Sequence, residues 1–149
     1  MKRVYAVCFL LLLTACDRGA DSPRGFSLPE GDPERGEGVF LSYDCLSCHQ
    51  LKDYGKGFSN REIEEPITLG GEVTQVKTYA ELVTSVINPS HKIARGYEPE
   101  MVTDEEGQSK MRNYNDIMTL SELIDLVAFL QPHYELRQYP QTNYPMYYP

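Results

Sequence analysis

The sequence has no cysteine to spare, no apolar run of bilayer length and no excess of basic charge. Of its four cysteines, Cys8 sits inside an N-terminal apolar run and Cys16 closes that run, so only Cys45 and Cys48 remain and nothing is left for a separate disulfide. The run from Val4 to Leu13 is shorter than the roughly 20 residues a spanning helix needs. With 14 Lys and Arg against 22 Asp and Glu, the net charge is −8. That balance excludes a grip on nucleic-acid phosphates or anionic headgroups; it would steer a partner with a basic patch, or simply keep the domain soluble. A motif pairing a nucleophile with a base is also missing, and there are only three histidines. No stretch carries a strand pattern that competes with the helical ones. The 149 residues have room for one domain with a real core.

What is present begins with Lys2 and Arg3 ahead of the apolar run, the layout of a signal peptide over residues 1–15. The run ends in Leu13-Thr14-Ala15-Cys16, which resembles the bacterial lipobox and implies lipidation of Cys16, leaving the protein anchored rather than spanning. Loss of Lys2 and Arg3 with the signal takes the charge from −8 to −10. Asp17 resembles the residue that keeps some lipoproteins at the inner membrane, which implies its periplasmic face as the location. Residues 16–31 then read as the lipidated N-terminus and a flexible tether, polar, with Gly and Pro and no apolar periodicity.

Three helices are predicted in the domain that follows, residues 32–138. Asp32 is an N-cap with Pro33 at the first helical position, and Gly36, Val39, Phe40 and Tyr43 share a face, so the first helix runs to about Tyr43. Thr78 and Glu81 form a capping box for a second helix from Tyr79 to about Ile87, stopped by Asn88-Pro89. For the third helix a second box, Thr119 with Glu122, is joined by a Met118–Leu123 staple and an apolar stripe of Leu120, Leu123, Ile124, Val127 and Leu130, ended by Pro132. The stretches Gln50–Lys77 and Pro89–Ile117 are long for idle connections and are expected to wrap a ligand. Residues 139–149 form a Tyr/Pro-rich tail that cannot continue a helix.

The chemistry lies in Cys45-Leu46-Ser47-Cys48-His49, the attachment signature of c-type haem. Two thiols add across the haem vinyl groups, and the next side chain is an imidazole that can bind the iron. Two intervening residues in a helical turn set both sulfurs along one porphyrin edge. A Cys-x-x-Cys pair can also be half of a zinc site or a redox dithiol, but the first needs two more suitably spaced ligands and the second favours a βαβ setting. Neither context is seen. One motif implies one haem.

Over most of residues 32–131 the chain resembles the monohaem class I cytochrome c family. In that family an N-terminal helix with a glycine and an aromatic four residues on crosses a C-terminal helix that also carries an aromatic, and Gly36, Phe40 and Phe129 match these places. A glycine there lets the helices approach closely. Glu65-Pro66-Ile67-Thr68-Leu69-Gly70 is similar to the family's Gly-Pro-x-Leu-x-Gly stretch, with Glu65 for the first glycine and the second one place early. The resemblance implies that the Pro66 carbonyl accepts the proton of the His49 nitrogen not bound to iron. Met111-Arg112-Asn113-Tyr114 resembles the Met-Pro-x-Tyr or Phe ligand loop, which implies Met111 as sixth ligand, although Arg112 replaces the proline. Met101 is the runner-up, while Met118 serves as the staple and Met146 lies in the tail. His91 or His133 would give bis-histidine ligation. Arg95, Gly96 and Tyr97 are candidate contacts to haem propionates. The fold implied is all-α, a cytochrome c-like helical domain wrapped around one covalently bound haem, with long loops.

The function expected is one-electron transfer between a redox-protein donor and acceptor of a respiratory or sulfur-oxidising chain, not enzymatic catalysis. The protein would act as a shuttle or as a subunit of a larger complex. The alternative of another class is a haem enzyme or gas sensor whose sixth iron position is open. A purely structural lipoprotein would instead be colourless.

Overall fold

The computed structural model describes residues 27–55, 63–75 and 77–137. The expected signal peptide, the lipidation position Cys16, most of the tether and the Tyr/Pro-rich tail lie outside these residues. Among the described residues no helix is long and apolar enough to cross a membrane.

Helix α1 spans Pro33–Ser42, and Tyr43 caps its C-terminus. Asp32 starts it because its carboxylate accepts from the backbone of Glu34 at 2.9 Å and of Arg35 at 3.1 Å, donors that a first turn otherwise leaves unpaired. Helix α2 spans Tyr79–Ile87. Only half of its expected capping box forms: Thr78 Oγ1 accepts from the Glu81 N–H at 3.2 Å, but the Glu81 carboxylate turns to Lys77 and Lys92 instead. A short helix α3 covers Pro99–Val102. Helix α4, Leu120–Leu130, has the full box, with Glu122 N donating to Thr119 Oγ1 at 3.2 Å and Thr119 N to Glu122 Oε2 at 2.7 Å.

The core lies where α1 crosses α4. Val39 and Phe40 from α1 are buried against Leu126, Val127, Phe129 and Leu130 from α4, and the Phe40 and Phe129 rings are 5.6 Å apart. Phe40, at 1% exposure, contributes roughly 1.5–3 kcal/mol by burial alone. An ionic clasp locks the crossing. Arg35 donates to Asp125 through Nε at 2.8 Å and Nη2 at 3.2 Å, and Asp32 N donates to the same carboxylate at 2.7 Å. Leu28, within the expected tether, already packs on this core.

The all-α expectation is overturned. About 42% of the described residues are helical and 14% are in strands or bridges, so the architecture is mixed. Strand β1 (His49–Leu51) pairs in parallel with β2 (Ile67–Leu69), His49 opposite Ile67. Strand β3 (Gly71–Val73) pairs in parallel with β4 (Tyr134–Leu136), Gly71 opposite Tyr134. Strands of three residues are too short to display an alternating pattern, and each finds its partner across a long stretch of chain rather than through a hairpin turn. Between the two pairs, Gly70 adopts φ +78°, and a Cβ on it would lie 2.8 Å from the His133 carbonyl oxygen. Only glycine makes that turn readily at so close an approach, and the turn takes the chain from β2, beside β1, into β3, beside β4.

Candidate functional site

Directly after α1 the chain bends at Asp44, which takes a left-handed φ of 52°, a conformation aspartate tolerates better than most residues. The bend starts a 3₁₀ turn, Cys45–Ser47. Ser47 secures it with two bonds to the Asp44 carbonyl, from N at 3.0 Å and from Oγ at 2.8 Å. Leu46 and Ser47 are buried inward, while Cys45 and Cys48 are half-buried and neither is in a disulfide. Burial, helped by the charge of Asp44, pushes the Cys45 thiol up to about 11, so it stays protonated at neutral pH.

His49 opens β1, and pairing with β2 brings its ring to the neighbouring segment: Nδ1 is 3.3 Å from the Ile67 carbonyl oxygen. The acceptor is thus Ile67, one residue beyond the Pro66 carbonyl expected from the sequence, because parallel register sets His49 opposite Ile67. Donation from Nδ1 leaves Nε2 with its lone pair. Burial lowers the pKa of His49, outweighing the opposite pull of the carbonyl, and the neutral ring is the form that can ligate a metal.

Two adjoining cavities, of about 400 and 370 Å³, open beside this motif, each in the range of sites that hold small molecules and cofactors. Cys45, His49, Met111 and Tyr114 border both. Cys48 and Met101 border the first; Leu82 and Val86 of α2 and Leu126 and Leu130 of α4 line the second. The long connections contribute as well, through Ile67 and Leu69 from one and Ala94 and Ser109 from the other.

The structure separates the other candidate ligands. Met118 borders only the second cavity and packs on the core cluster that includes Leu123. His91 is exposed, with Nδ1 2.8 Å from the Asn88 carbonyl. His133 packs its ring 5.0 Å from that of Phe129. Neither histidine borders either cavity. Tyr97 is occupied elsewhere, its hydroxyl accepting from Thr68 N at 3.0 Å. Among the described residues no group of three or more His, Cys, Asp or Glu is placed to hold a metal ion, so a zinc site on the Cys-x-x-Cys pair finds no third ligand of these types there.

The rim of the second cavity carries a feature that sequence reading missed. Lys77, Lys92 and Arg95 border it, with Glu81 accepting from both lysines, Lys92 at 3.0 Å. The lysines hold the Glu81 carboxyl below the usual range. Three cations and one carboxylate in the lining, two of the cations paired with it, make this side of the cavity locally basic in an acidic chain. The residues present therefore fit a flat, largely apolar cofactor that carries carboxylates: apolar walls, a basic rim, two thiols, an imidazole and a thioether. No family model matches this sequence, and no curated protein or solved structure matches it.

Proposed function

We propose that this chain is a membrane-anchored electron carrier working outside the cytoplasm, with one haem c attached at Cys45 and Cys48 and ligated by His49 and Met111. The observation that carries the reading is the paired hollow bordered on both sides by Cys45, His49 and Met111. When bound, the haem supplies reversible one-electron chemistry at its iron. The chain's own residues set the conditions. His49 offers a neutral imidazole oriented by the Ile67 carbonyl, and Met111 offers a soft, uncharged thioether that favours the reduced state. Leu82, Val86, Leu126 and Leu130 exclude water, while Lys77, Lys92 and Arg95 suit the carboxylates. His49 and Met111 would together hold the iron and leave a small molecule no open place on it, which would favour electron transfer over catalysis.

The anchor in this reading is lipid on Cys16 at the periplasmic face of the inner membrane, and the partners are redox proteins of a respiratory or sulfur-oxidising chain. The test is to express the full chain in a host with haem-attachment machinery and examine the purified protein. Covalent haem, retained through acidified-solvent extraction, together with a long-wavelength sulfur-to-iron band in the oxidised state, is the expected result. A colourless protein, or haem that extracts freely, refutes the reading.

A further inference from the structure

The segment that carries Met111 also carries a second thioether towards the same cavity. Helix α3 holds Met101, and the chain then reverses through a turn at Asp104–Gln108 and returns through Ser109 to Met111. An antiparallel bridge between Thr103 and Ser109, and a 2.9 Å bond from Lys110 N to the Val102 carbonyl, tie the two arms together. Asp104 Oδ1 closes the turn by accepting from Glu106 N and Gln108 N at 3.1 and 2.7 Å. One methionine thus stands on each arm of a small hairpin, and both border the first cavity beside Cys48 and His49.

The arms differ in how firmly they are held. The Met101 arm is helical, starts at Pro99 and is pinned by buried Val102 at 5% exposure. The Met111 arm is fixed at Ser109, whose N–H donates to Ser90 Oγ at 3.0 Å, but beyond it Arg112 and Asn113 make no backbone–backbone hydrogen bond among the described residues. Arg112 also lacks the fixed φ that a proline would impose. A methionine side chain has three rotatable bonds and adapts its reach more easily than other apolar residues.

We infer that Met101 is a second axial thioether donor, which takes the iron position when Met111 is removed, so that the hairpin keeps a soft neutral ligand at the site from either arm. This rests on the haem reading proposed above.

The test compares the unmodified holoprotein with Met111→Leu, Met101→Leu and the double variant, leucine being chosen because it keeps volume while removing sulfur. The readouts are spin state and the long-wavelength sulfur-to-iron band, with far-UV circular dichroism to check folding. Met111→Leu is expected to remain low-spin and to retain a shifted band, Met101→Leu to match the unmodified protein, and only the double variant to lose the band and become high-spin. Loss of the band in Met111→Leu alone overturns the inference and leaves Met111 as ligand. Loss in Met101→Leu alone overturns it by making Met101 the resident ligand. A double variant that stays low-spin overturns it in favour of a non-thioether donor. An unmodified protein without haem, or without the band, fails the underlying reading instead and takes the inference with it.

Discussion

Gly36 and Asp125 meet backbone to backbone: a Cβ built on Gly36 would lie 2.0 Å from the Asp125 carbonyl oxygen and 2.7 Å from the Phe129 Cβ. No side chain fits in that gap. The approach lets Phe40 reach Phe129 one turn on and brings Arg35, beside Gly36, within range of the carboxylate of Asp125 itself. Gly36→Ala is therefore expected to force α1 from α4 and to cost about 3 kcal/mol, the upper end for overpacking. Thermal unfolding of the variant should show a clear fall in Tm. An unchanged Tm would mean that the crossing relaxes at no cost.

Asp125 makes the fold sensitive to acid. The Arg35 guanidinium, then the Asp32 N–H, hold its carboxyl below the usual carboxylate range. The folded state thus binds the ionised form better than the unfolded state does. The resulting stability is complete above the ordinary aspartate value of about 4 and disappears as pH falls through the lower folded-state value. Asp125→Asn keeps an acceptor for Asp32 N but gives up the charge facing Arg35. The variant should have a lower Tm at neutral pH and a shallower decline of Tm in acid than the unmodified protein. Parallel declines for the two would show that the acid sensitivity comes from other groups, Glu81 and Glu122 being the next carboxylates held low.

The helices were legible in the sequence because their signals are local. Asp32, Thr78 and Thr119 each cap within three residues of themselves, and the apolar stripes repeat within one turn. The four strands were not, since His49 meets Ile67 and Gly71 meets Tyr134 only after distant segments come together. The same register moves the carbonyl beside His49 from Pro66 to Ile67. The basic rim was hidden for another reason. Glu81 gathers Lys77 from just ahead of its own helix and Lys92 from beyond the next turn, and the chain's net negative charge obscures that local reversal. The motif residues and Met111 could be singled out by type and order. That they border one hollow, while His91 and His133 do not, is a property of the fold.

His49→Ala, or loss of both Cys45 and Cys48, is expected to abolish the folded holoprotein, because the hollow beside them would lack its occupant within a small core. Visible absorbance and circular dichroism of the purified variants check this. A helical domain that unfolds cooperatively with undiminished stability in either variant would show that the core does not depend on the cofactor.

Cys16→Ser should move the protein from the membrane to the soluble extracytoplasmic fraction, since acyl chains would supply its membrane affinity. Fractionation followed by immunoblotting reads the outcome. Continued sedimentation with membranes would point to a protein partner as the anchor.

Met111→His tests the axial assignment most directly. Imidazole donates more strongly than a thioether and stabilises the ferric state, so the variant should stay low-spin, lose the sulfur-to-iron band and have a markedly lower reduction potential. In this reading the attachment at Cys45 and Cys48 and the imidazole of His49 would be untouched. A histidine at this position also outcompetes the thioether of Met101, so the potential should fall here even though Met111→Leu is expected to keep a sulfur ligand. Met118→His serves as the control, because Met118 borders only the second cavity and packs on the core. It should disturb packing without changing the band. If Met101→His alone lowers the potential, the ligand belongs to α3 rather than to the loop before α4. If none of the three substitutions changes the spectrum, the sixth position holds no methionine from the described residues, and the enzyme or gas-sensor reading becomes the stronger one.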